Sequence, residues 1–376
     1  MTLQSRRPAL LCAAAATLVA LAWQALTVRA GYGGDWSALF YTGAFARLPP
    51  LVASERPYVF PQSAGYDGQY YHLIAHDPLL HRGFAPYVDN PRMRWRRLLV
   101  PGLAALLAGF DDDYIDSLYA AVLLGFVFLG AYWLSRWGAE HGYPSWLGLG
   151  FLLVPATLIS LDRNTVDVAL AALTVGFALY QGPALYAVMA AAPLARETGL
   201  LFIAAQALCA ARKREWRTVG LSLATALPFL LWAWYVGRRA APDLTSHLGM
   251  VPFGGIVYRA LHYAAYPLET AWVRKAALFD YLAFLGVCAA MLLVLRRRAG
   301  RLETAALAFC AALVFVSQPQ VWAEAYAFGR IASPLLVLVS LMALRDRWWW
   351  GLLPLACVLP RVLWQLGPQL RAILRF

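Results

Sequence analysis

Long apolar segments recur along the chain and constrain its fold more than any other feature. The first runs from Ala9 to Val28 without a charged side chain, which is enough to cross a membrane as a helix at about 1.5 Å per residue. Over 376 residues the hydrophobic fraction is 61% and the mean hydropathy is +0.57, which excludes an ordinary water-soluble surface. Backbone polar groups in hydrocarbon must pair internally, so the spans should be helices. The sequence predicts an all-α polytopic membrane protein.

The first segment has a cleavable signal peptide as its alternative interpretation. Val28-Arg29-Ala30 faintly resembles a small-x-small cleavage site, but the apolar run is long for the core of a signal peptide. We therefore predict a first membrane span, with Arg6 and Arg7 on the inside.

The remaining segments predict about eleven spans in a single transmembrane domain, 1–376, with no internal repeat and no soluble domain. The predicted segments are 9–28, 114–135, 146–160, 165–181, 184–211, 218–237, 277–295, 303–318, 330–344 and 348–366. Segment 184–211 is too long for one tidy span, so we expect two short helices that meet at Arg196-Glu197-Thr198-Gly199. The basic clusters at 6–7, 136, 212–217, 296–301 and 345–347 then share one face, as the positive-inside tendency requires.

The positive charge of the chain follows from these clusters. A net charge of +12 and a pI near 9.7 would suggest nucleic acid as the partner of a soluble protein, but here the arginines stand at the ends of apolar segments. The predicted partner is the lipid bilayer, and no nucleic acid is expected. Five cysteines lie inside apolar runs without metal-like spacing, so they are interpreted as packing residues: Cys12, Cys209, Cys288, Cys310 and Cys357.

A long external loop, about 31–113, is predicted after the first span. Asp35 is placed to cap an amphipathic helix on the outer membrane surface, with Trp36, Leu39, Phe40, Gly43 and Ala44 at helical spacing. Four prolines between 49 and 61 are expected to break regular structure, and Leu98 to Phe110 is too short to cross, so it should be interfacial or re-entrant. A second external loop, about 238–275, carries Asp243, His247, His262, Glu269 and Arg274.

The centre of the first loop is the densest polar run of the chain, from Gly65 to Pro78. Asp67 is placed to be a helix N-cap, and Pro78 should end the helix because the residue before a proline avoids helical geometry. The helix would carry phenols, imidazoles and carboxylates together, as a sugar-binding cleft does. A structured loop whose aromatic rings rest at the lipid interface is the alternative. The candidate substrate-binding residues of this run are Tyr66, Gln69, Tyr70 and His72.

Ionisable side chains at membrane depth are functional candidates because they are costly to bury there. One chemistry that needs the set on the external face is sugar transfer from a lipid-linked phosphate donor to an acceptor hydroxyl. A carboxylate would take the hydroxyl proton, and arginines would hold the phosphate leaving group. The candidates beyond the first loop are Arg163, Arg196, Glu197, Glu324 and Arg330. Arg196 is the best phosphate candidate, and an ion pair with an acid of a neighbouring helix is its alternative.

The layout of a first span, a long external loop and many further spans resembles the GT-C superfamily of polyprenyl-phosphate-sugar-dependent glycosyltransferases. The run Gly34-Asp35-Trp36-Ser37-Ala38-Leu39-Phe40-Tyr41-Thr42-Gly43 looks like the start of that loop in polyprenol-phosphate-mannose-dependent mannosyltransferases. The runs 66–78 and 96–101 are similar to bacterial membrane proteins assigned to cell-surface glycopolymer formation, and 195–198 and 326–334 also take part in the resemblance. It implies a GT-C-like helical bundle and an inverting transferase. The implied donor is a polyprenyl-phosphate sugar, and the acceptor is a glycan, lipid or protein of the cell envelope.

The resemblance also implies that an acid of the first loop is the general base. That residue maps onto Asp35, which is placed ahead of Asp67 because it follows the first span directly. The loop lacks the paired acids that many members have, so Asp67 competes for the role. A plain helix cap is the alternative for either residue. The site would lie on the external face of a bacterial inner membrane.

No cofactor and no metal ion are predicted. His72, His76 and His81 with Asp77 have a spacing that a divalent ion could use, but imidazoles in an interfacial loop are more often hydrogen-bonding groups. Two other functions remain open, a transporter or flippase of lipid-linked saccharides and a non-catalytic assembly protein of the envelope. A transporter would show inverted repeats and broken helices near the middle of the membrane.

Overall fold

The chain folds into an all-α membrane protein, as the apolar segments predicted. The computed structural model describes residues 3–243, 249, 251–264, 266–297 and 300–376. His247 of the predicted second loop and Arg298 of a basic cluster lie outside the described residues.

The first long helix, α1 (Leu3–Gly31), leads into a segment of short elements that ends where α6 (Ile115–Glu140) begins. The elements in between are β1 (Thr42–Gly43), α2 (Pro50–Ser54), β2 (Val59–Phe60), α3 (Asp67–His76), α4 (Pro91–Arg96) and α5 (Leu99–Leu107). Short 3-10 helices lie at Trp36–Phe40, Ala85–Tyr87 and Asp112–Tyr114. We call the segment 32–114 the loop segment.

The rest of the chain alternates between long helices and pairs of shorter ones. The helices are α7 (Pro155–Arg163), α8 (Asp167–Leu179), α9 (Gly182–Ala195), α10 (Leu200–Arg212), α11 (Trp216–Ala224), α12 (Leu227–Arg239), α13 (Gly254–Leu261), α14 (Ala271–Leu295), α15 (Arg301–Val314), α16 (Pro319–Ala323), α17 (Ala325–Arg345), α18 (Leu353–Gln365) and α19 (Gly367–Arg375). Further 3-10 helices lie at Ser145–Leu153, Glu197–Gly199 and Trp349–Leu352.

Five helical segments of the described chain are long and apolar enough to cross a membrane. They are Arg7–Gly31, Asp112–Glu140, Trp216–Arg239, Ala271–Leu295 and Ala325–Arg345. The number rises to seven if two bent pairs each count as one span, one of them Ser145–Leu153 with Pro155–Arg163, bent by 60°. The predicted count of about eleven spans therefore stays a prediction.

Segment 184–211 forms two short helices, as the sequence predicted. The first, α9, ends at Ala195, and α10 begins at Leu200. Arg196 between them has an extended backbone and cannot continue the helix. The charge inside an apolar run thus marked a real break.

Polar contacts gather at two ends of the helical bundle. The loop segment contacts the starts or ends of several helices, for example through Tyr66, whose hydroxyl donates to the carbonyl of Tyr326 at the start of α17. At the other end of α17, roughly 30 Å away at 1.5 Å per residue, Arg345 pairs with Glu303 at 2.5 Å. We call these the loop end and the opposite end. A basic cavity of about 700 Å³ at the opposite end brings together members of three predicted clusters, Arg212 with Lys213, Arg301, and Arg345.

Two expectations for the start of the loop segment are wrong. Residues 36–40 form a buried 3-10 helix, not an amphipathic helix on the membrane surface, because Leu39 and Phe40 pack into the core. The proline-rich stretch also keeps some regular structure. Pro50 begins α2, which suits a residue without a backbone N–H, and β1 pairs with β2 in a short parallel ladder.

Helix α3 is the predicted helix of the 65–78 motif, but it differs from the prediction in its first residue and in its burial. Tyr66 is the N-cap and Asp67 is the first helical residue. The helix ends before Pro78, as predicted, with Asp77 as its C-cap. It is buried on nearly all sides, so it is a core element and not a helix resting on a surface. Gly68 permits this burial, since its Cα lies against the carbonyls of Arg163 and Phe40.

We expect Gly68→Ala to lower the unfolding temperature of the purified protein in detergent. The added Cβ would overlap two backbone oxygens that cannot move independently, and such overpacking typically costs about 1–3 kcal/mol. Gly125→Ala in α6 is the matched control, because a Cβ there meets nothing within 4 Å. Equal unfolding temperatures for both variants would contradict the close packing of α3 against α7.

Candidate functional site

Asp67 lies between two arginines at the loop end. Its Oδ1 accepts a hydrogen bond from Nη2 of Arg94 at 2.9 Å, and its Oδ2 pairs with Arg330. Arg94 belongs to α4 and Arg330 to α17, so one carboxylate joins the loop segment to the bundle. The sequence placed Asp67 and Arg330 in one site, and the structure brings them into contact.

Arg330 also reaches a second buried carboxylate, Asp167, in the first turn of α8. Its Nη1 lies 3.4 Å from Oδ2 of Asp167, whose Oδ1 pairs with Arg196. Arg196 is only 6% exposed, so it takes the ion-pair role that the sequence left open for it.

Arg97 extends the same set of contacts. Its Nε lies 3.1 Å from Glu197, and its Nη1 donates to the Tyr71 hydroxyl at 2.9 Å. Asp89 accepts hydrogen bonds from Nε and Nη2 of Arg94, each at 2.9 Å. We define the arginine network by its four cations and four acids, Arg94, Arg97, Arg196, Arg330, Asp67, Asp89, Asp167 and Glu197, together with the three tyrosines that contact its cations, Tyr66, Tyr70 and Tyr71. Formal charges balance, as burial requires. Within the described residues Oε1 of Glu197 is buried without a hydrogen-bond partner, which leaves a free acceptor in the network.

Two phenol rings of the 65–78 motif lie beside the guanidinium groups of this network. The Arg94 carbon Cζ is 5.0 Å from the ring centre of Tyr70, and that of Arg330 is 5.0 Å from Tyr66. Burial raises the pKa of Tyr70, so this phenol stays protonated at neutral pH. Both predicted substrate-binding tyrosines are therefore in the network.

Two opposing effects determine the pKa of Asp67, its burial and the nearby positive charges. Burial raises the pKa of a carboxyl, but the charges of Arg330 and Arg94 outweigh it and hold the pKa of Asp67 well below its ordinary value. Asp67 is thus ionised at neutral pH and is a weak base as long as both arginines hold it. Any anion that drew the arginines away would raise that pKa and make Asp67 a better proton acceptor.

Gln69 makes no described hydrogen bond to the charged groups of the arginine network, and its predicted binding role stays a prediction. Its Oε1 accepts from the Gly43 N–H at 3.1 Å, and its Nε2 donates to the Ala64 carbonyl at 3.0 Å. Both ends of the amide are therefore used to hold α3 against β1, which is a structural role.

Asp35 takes the cap role that the sequence gave as its alternative. Its Oδ1 accepts from the backbone N–H of Ser37 at 3.0 Å and from the Ser37 hydroxyl at 2.6 Å. The Ser37 oxygen in turn accepts from the N–H of Tyr58. These contacts fix the entry of the loop segment, and Asp67 is the first-loop acid that lies among the arginines.

Arg163 lines an open cavity of about 330 Å³ where α1, α7 and the C-terminal helices meet. Tyr32, Tyr41 and Gln369 also line this cavity, which we call the Arg163 pocket. The guanidinium pairs with Asp162 at 2.8 Å and lies 3.3 Å from the ring centre of Tyr41. Its Nη1 is buried and has no hydrogen-bond partner among the described residues. Among the described residues, the predicted phosphate ligands Arg163 and Arg330 each have a buried donor without a hydrogen-bond partner, and Arg163 is the one of the two that lines this cavity.

Glu324 belongs to a different group. Its Oε2 lies 4.0 Å from Nη2 of Arg361, whose Nε is 3.1 Å from Asp280. Its side chain is half exposed, and no described contact joins it to the arginine network. The structure thus separates Glu324 from the other predicted binding residues.

His72 lies in another cluster, with His76, Glu55, Asp112 and Asp116, which we call the histidine cluster. Burial and the nearby charge of His72 lower the pKa of His76 to about 4, so its ring is neutral near pH 7. Partial burial and repulsion from Asp116 raise the pKa of Glu55 to about 7, against the attraction of His72.

His81 and Asp77, considered as metal ligands with His72 and His76, lie outside this cluster. The Asp77 carboxylate accepts from the N–H groups of His81 at 2.7 Å and Phe84 at 3.3 Å. Nε2 of His81 contacts the Tyr235 hydroxyl at 3.1 Å. The four residues whose spacing a divalent ion could use therefore do not share one site.

Arg94, Arg97, Asp167 and Tyr71 are members of the network that the sequence did not single out. Arg92, Arg94, Arg96 and Arg97 directly precede the apolar run from Leu98 to Phe110, which alone suggests no site. The spacing of three residues between Arg94 and Arg97, which puts two side chains on one helical face, was the available signal.

Comparison of the chain with protein-family models, with curated proteins and with solved structures found no match. The function is therefore inferred from the residues of this chain.

We expect Gln69→Ala to lower stability by about 1–3 kcal/mol, because it leaves a buried N–H and a carbonyl without partners. Thermal unfolding in detergent measures the effect, with Gln206→Ala on α10 as the control. Wild-type stability of Gln69→Ala together with a loss of ligand binding would instead support the binding role.

Proposed function

We propose that the protein is a membrane glycosyltransferase of the GT-C kind, which moves a sugar from a polyprenyl-phosphate donor to an acceptor of the cell envelope. The observation that carries the proposal is the unpaired, buried Nη1 of Arg163 beside an aromatic-lined cavity at the ends of membrane helices. A guanidinium stays charged and matches phosphate oxygens with two donors.

The surroundings of the Arg163 pocket suit a lipid-linked phosphate. Tyr32, Tyr41 and Phe60 line it and provide flat faces for a sugar ring. The pocket also borders α19, which exposes large apolar side chains at Leu374 and Phe376. An isoprenoid tail in the bilayer could lie along these side chains while its phosphate reaches Arg163.

Asp67 is the proposed general base. Tyr66, which precedes it, packs its ring 5.8 Å from that of Tyr326, and the Tyr326 hydroxyl donates to Asp162, the partner of Arg163. In the proposed step the acceptor hydroxyl gives its proton to Asp67 and its oxygen bonds to the anomeric carbon. The bond from that carbon to the phosphate oxygen breaks, and the phosphate leaves with the electron pair, held by arginine. One displacement inverts the anomeric centre.

The arginine network would make the basicity of Asp67 depend on whether the donor is bound. In the ligand-free arrangement Arg330 and Arg94 keep Asp67 ionised and weakly basic. A phosphate at the loop end would compete for their charge, so the pKa of Asp67 would rise when the donor is bound. Proton acceptance would then be confined to the loaded enzyme.

The membrane orientation belongs to the same proposal. Basic side chains at the opposite end include Arg212, Lys213, Arg301 and Arg345. The positive-inside tendency would put that end in the cytoplasm and the loop end outside. With about eleven spans, a bacterial inner membrane would present the site to the periplasm.

A transporter or flippase of lipid-linked saccharides is the second candidate, favoured by the broken helices. The chain bends by 60° between residues 145–153 and 155–163, and it breaks again at Arg196. Arg196, at the second of these breaks, pairs with Asp167 in the first turn of α8. Charged groups at helix breaks are typical of transport sites.

We expect Asp67→Asn to reduce sugar transfer by about 10²–10⁴-fold, because the amide cannot accept the proton. Asp35→Asn should retain transfer, since asparagine also caps helices well. The assay uses purified protein in lipid with a radiolabelled polyprenyl-phosphate sugar. Full turnover in both variants would refute a first-loop base, and loss in Asp35→Asn alone would reassign it to Asp35.

We expect Arg163→Ala to weaken binding of a polyprenyl-phosphate donor by about 10–100-fold, the effect of losing one charge-assisted contact. Arg163→Lys keeps the charge but loses the planar fork, so its affinity should be intermediate. Arg274→Ala, an exposed arginine at the start of α14, is the control. Unchanged donor affinity in Arg163→Ala would remove the pocket from the site.

Reconstituted vesicles separate the two functions. Movement of a fluorescent lipid-linked sugar between leaflets, with no transfer to any acceptor, would favour the flippase. Transfer without such movement would favour the enzyme.

A further inference from the structure

Two histidines of α3 face each other at the loop end and play no part in the proposed transfer. His72 and His76 are one helical turn apart, and their Nε2 atoms are 3.1 Å from each other. Both rings are buried, and Phe40 stacks on His72 with ring centres 4.1 Å apart. Histidines four residues apart on one helical face form a recurrent zinc-binding pair.

Two carboxylates from other parts of the chain approach the same point. Oδ1 of Asp116, in the first turn of α6, is 2.6 Å from Nε2 of His72. Oε2 of Glu55, just after α2, is 3.7 Å from Nε2 of His76. The ligand atoms of Glu55, His72 and His76 all lie within 4.8 Å of one another. Three ligand atoms thus converge, and the Asp116 oxygen lies beside one of them, Nε2 of His72.

Asp112 orients the ring of His76 by contacting its other nitrogen atom, Nδ1. Its Oδ1 is 2.8 Å from Nδ1 of His76, and it also accepts from Arg82 at 2.6 Å. A hydrogen on Nδ1 satisfies this contact and leaves a lone pair on Nε2 of His76. Histidines that bind metals typically have such a carboxylate on the other ring nitrogen.

The hydrogen atoms available do not satisfy this group. With Nε2 of His76 an acceptor, the one N–H at Nε2 of His72 faces two lone-pair atoms, Nε2 of His76 at 3.1 Å and Oδ1 of Asp116 at 2.6 Å. Oδ1 of Asp116 is buried and lacks a hydrogen bond of good geometry among the described residues. A cation among Glu55, His72 and His76 would bind their three ligand atoms at once, and Asp116 is near enough to His72 to become the fourth ligand.

We propose that Glu55, His72, His76 and Asp116 bind one divalent transition-metal ion, with zinc as the expected ion. In a tetrahedral site with zinc–nitrogen bonds of about 2.0–2.1 Å, the two nitrogen atoms would be about 3.3 Å apart. The Nε2 atoms of His72 and His76 are 3.1 Å apart, which is close to that distance. Two imidazoles with two carboxylates favour zinc and its neighbours over magnesium and calcium, which prefer oxygen ligands.

The proposed ion would join two parts of the fold, the loop segment and a membrane helix. Glu55 and the α3 histidines belong to the loop segment, and Asp116 belongs to α6, a membrane helix. The metal would therefore fasten the loop segment to the bundle at a point separate from the arginine network. Glu55 and Asp116 are each about one-third exposed, so an ion can enter from that side.

The test is metal binding by the full-length protein in detergent, after removal of metals with a chelator. We expect one zinc ion per chain by elemental analysis and a higher unfolding temperature with added zinc, because a ligand of the folded state stabilises it. His76→Gln should abolish stoichiometric binding. Asp112→Asn should weaken it by about 10–100-fold, as loss of a carboxylate behind a metal-bound histidine does.

Glu55→Gln provides a milder variant, since this side chain is about one-third exposed and can change with little effect on the core. It should also lose affinity for zinc while keeping the unfolding temperature of the metal-free protein. His81→Gln, on the next part of the loop segment, is the matched control and should bind one zinc ion. The proposal is overturned if wild-type protein binds less than one-tenth of an equivalent, or if Glu55→Gln and Asp112→Asn both bind zinc as tightly as His81→Gln does. Because the measurement is binding, it does not depend on sugar transfer.

Discussion

The contact of Asp67 with two guanidinium groups holds the loop segment on the bundle. Arg94 comes from the loop segment and Arg330 from the membrane helix α17, so the carboxylate lies at the junction of two parts of the fold. Charges buried this deeply require partners, because an unpaired one would cost several kcal/mol. The positions of α3, α4 and the start of α17 are therefore coupled, and so are the aromatic rings that surround them.

The coarse fold could be predicted because hydrophobic length is a local property of the sequence. The break between α9 and α10 was visible for the same reason, since Arg196 interrupts an apolar run. The 3-10 helix at 36–40 could not be recognised, because burial by α3 and α7 and not its own periodicity decides its conformation. The same holds for α3, whose polar composition predicted exposure although the surrounding helices bury it.

The residues of the site could be predicted more readily than the contacts between them. Asp67, Arg330 and Tyr66 were chosen by residue type, and they do lie together. The pairing of Arg97 with Glu197 joins residues far apart in the chain and leaves no periodic signal. The role of Gln69 was hard to predict because a buried amide and a ligand-binding amide look alike in a sequence, and its partners, Gly43 and Ala64, are visible only in the three-dimensional structure.

The shortness of α9 and α10 has a consequence for the surrounding lipid. With 14 and 13 residues, they are about 20 Å long at 1.5 Å per residue, against roughly 30 Å of hydrocarbon. Neither helix could cross a bilayer of that thickness alone, and if each served as a span, the bilayer next to it would have to be thinner. Acyl chains beside the turn at Arg196 would be compressed, and headgroups there would lie deeper than elsewhere around the protein. A change in membrane thickness would then affect the region of α9 and α10 more than the longer helices.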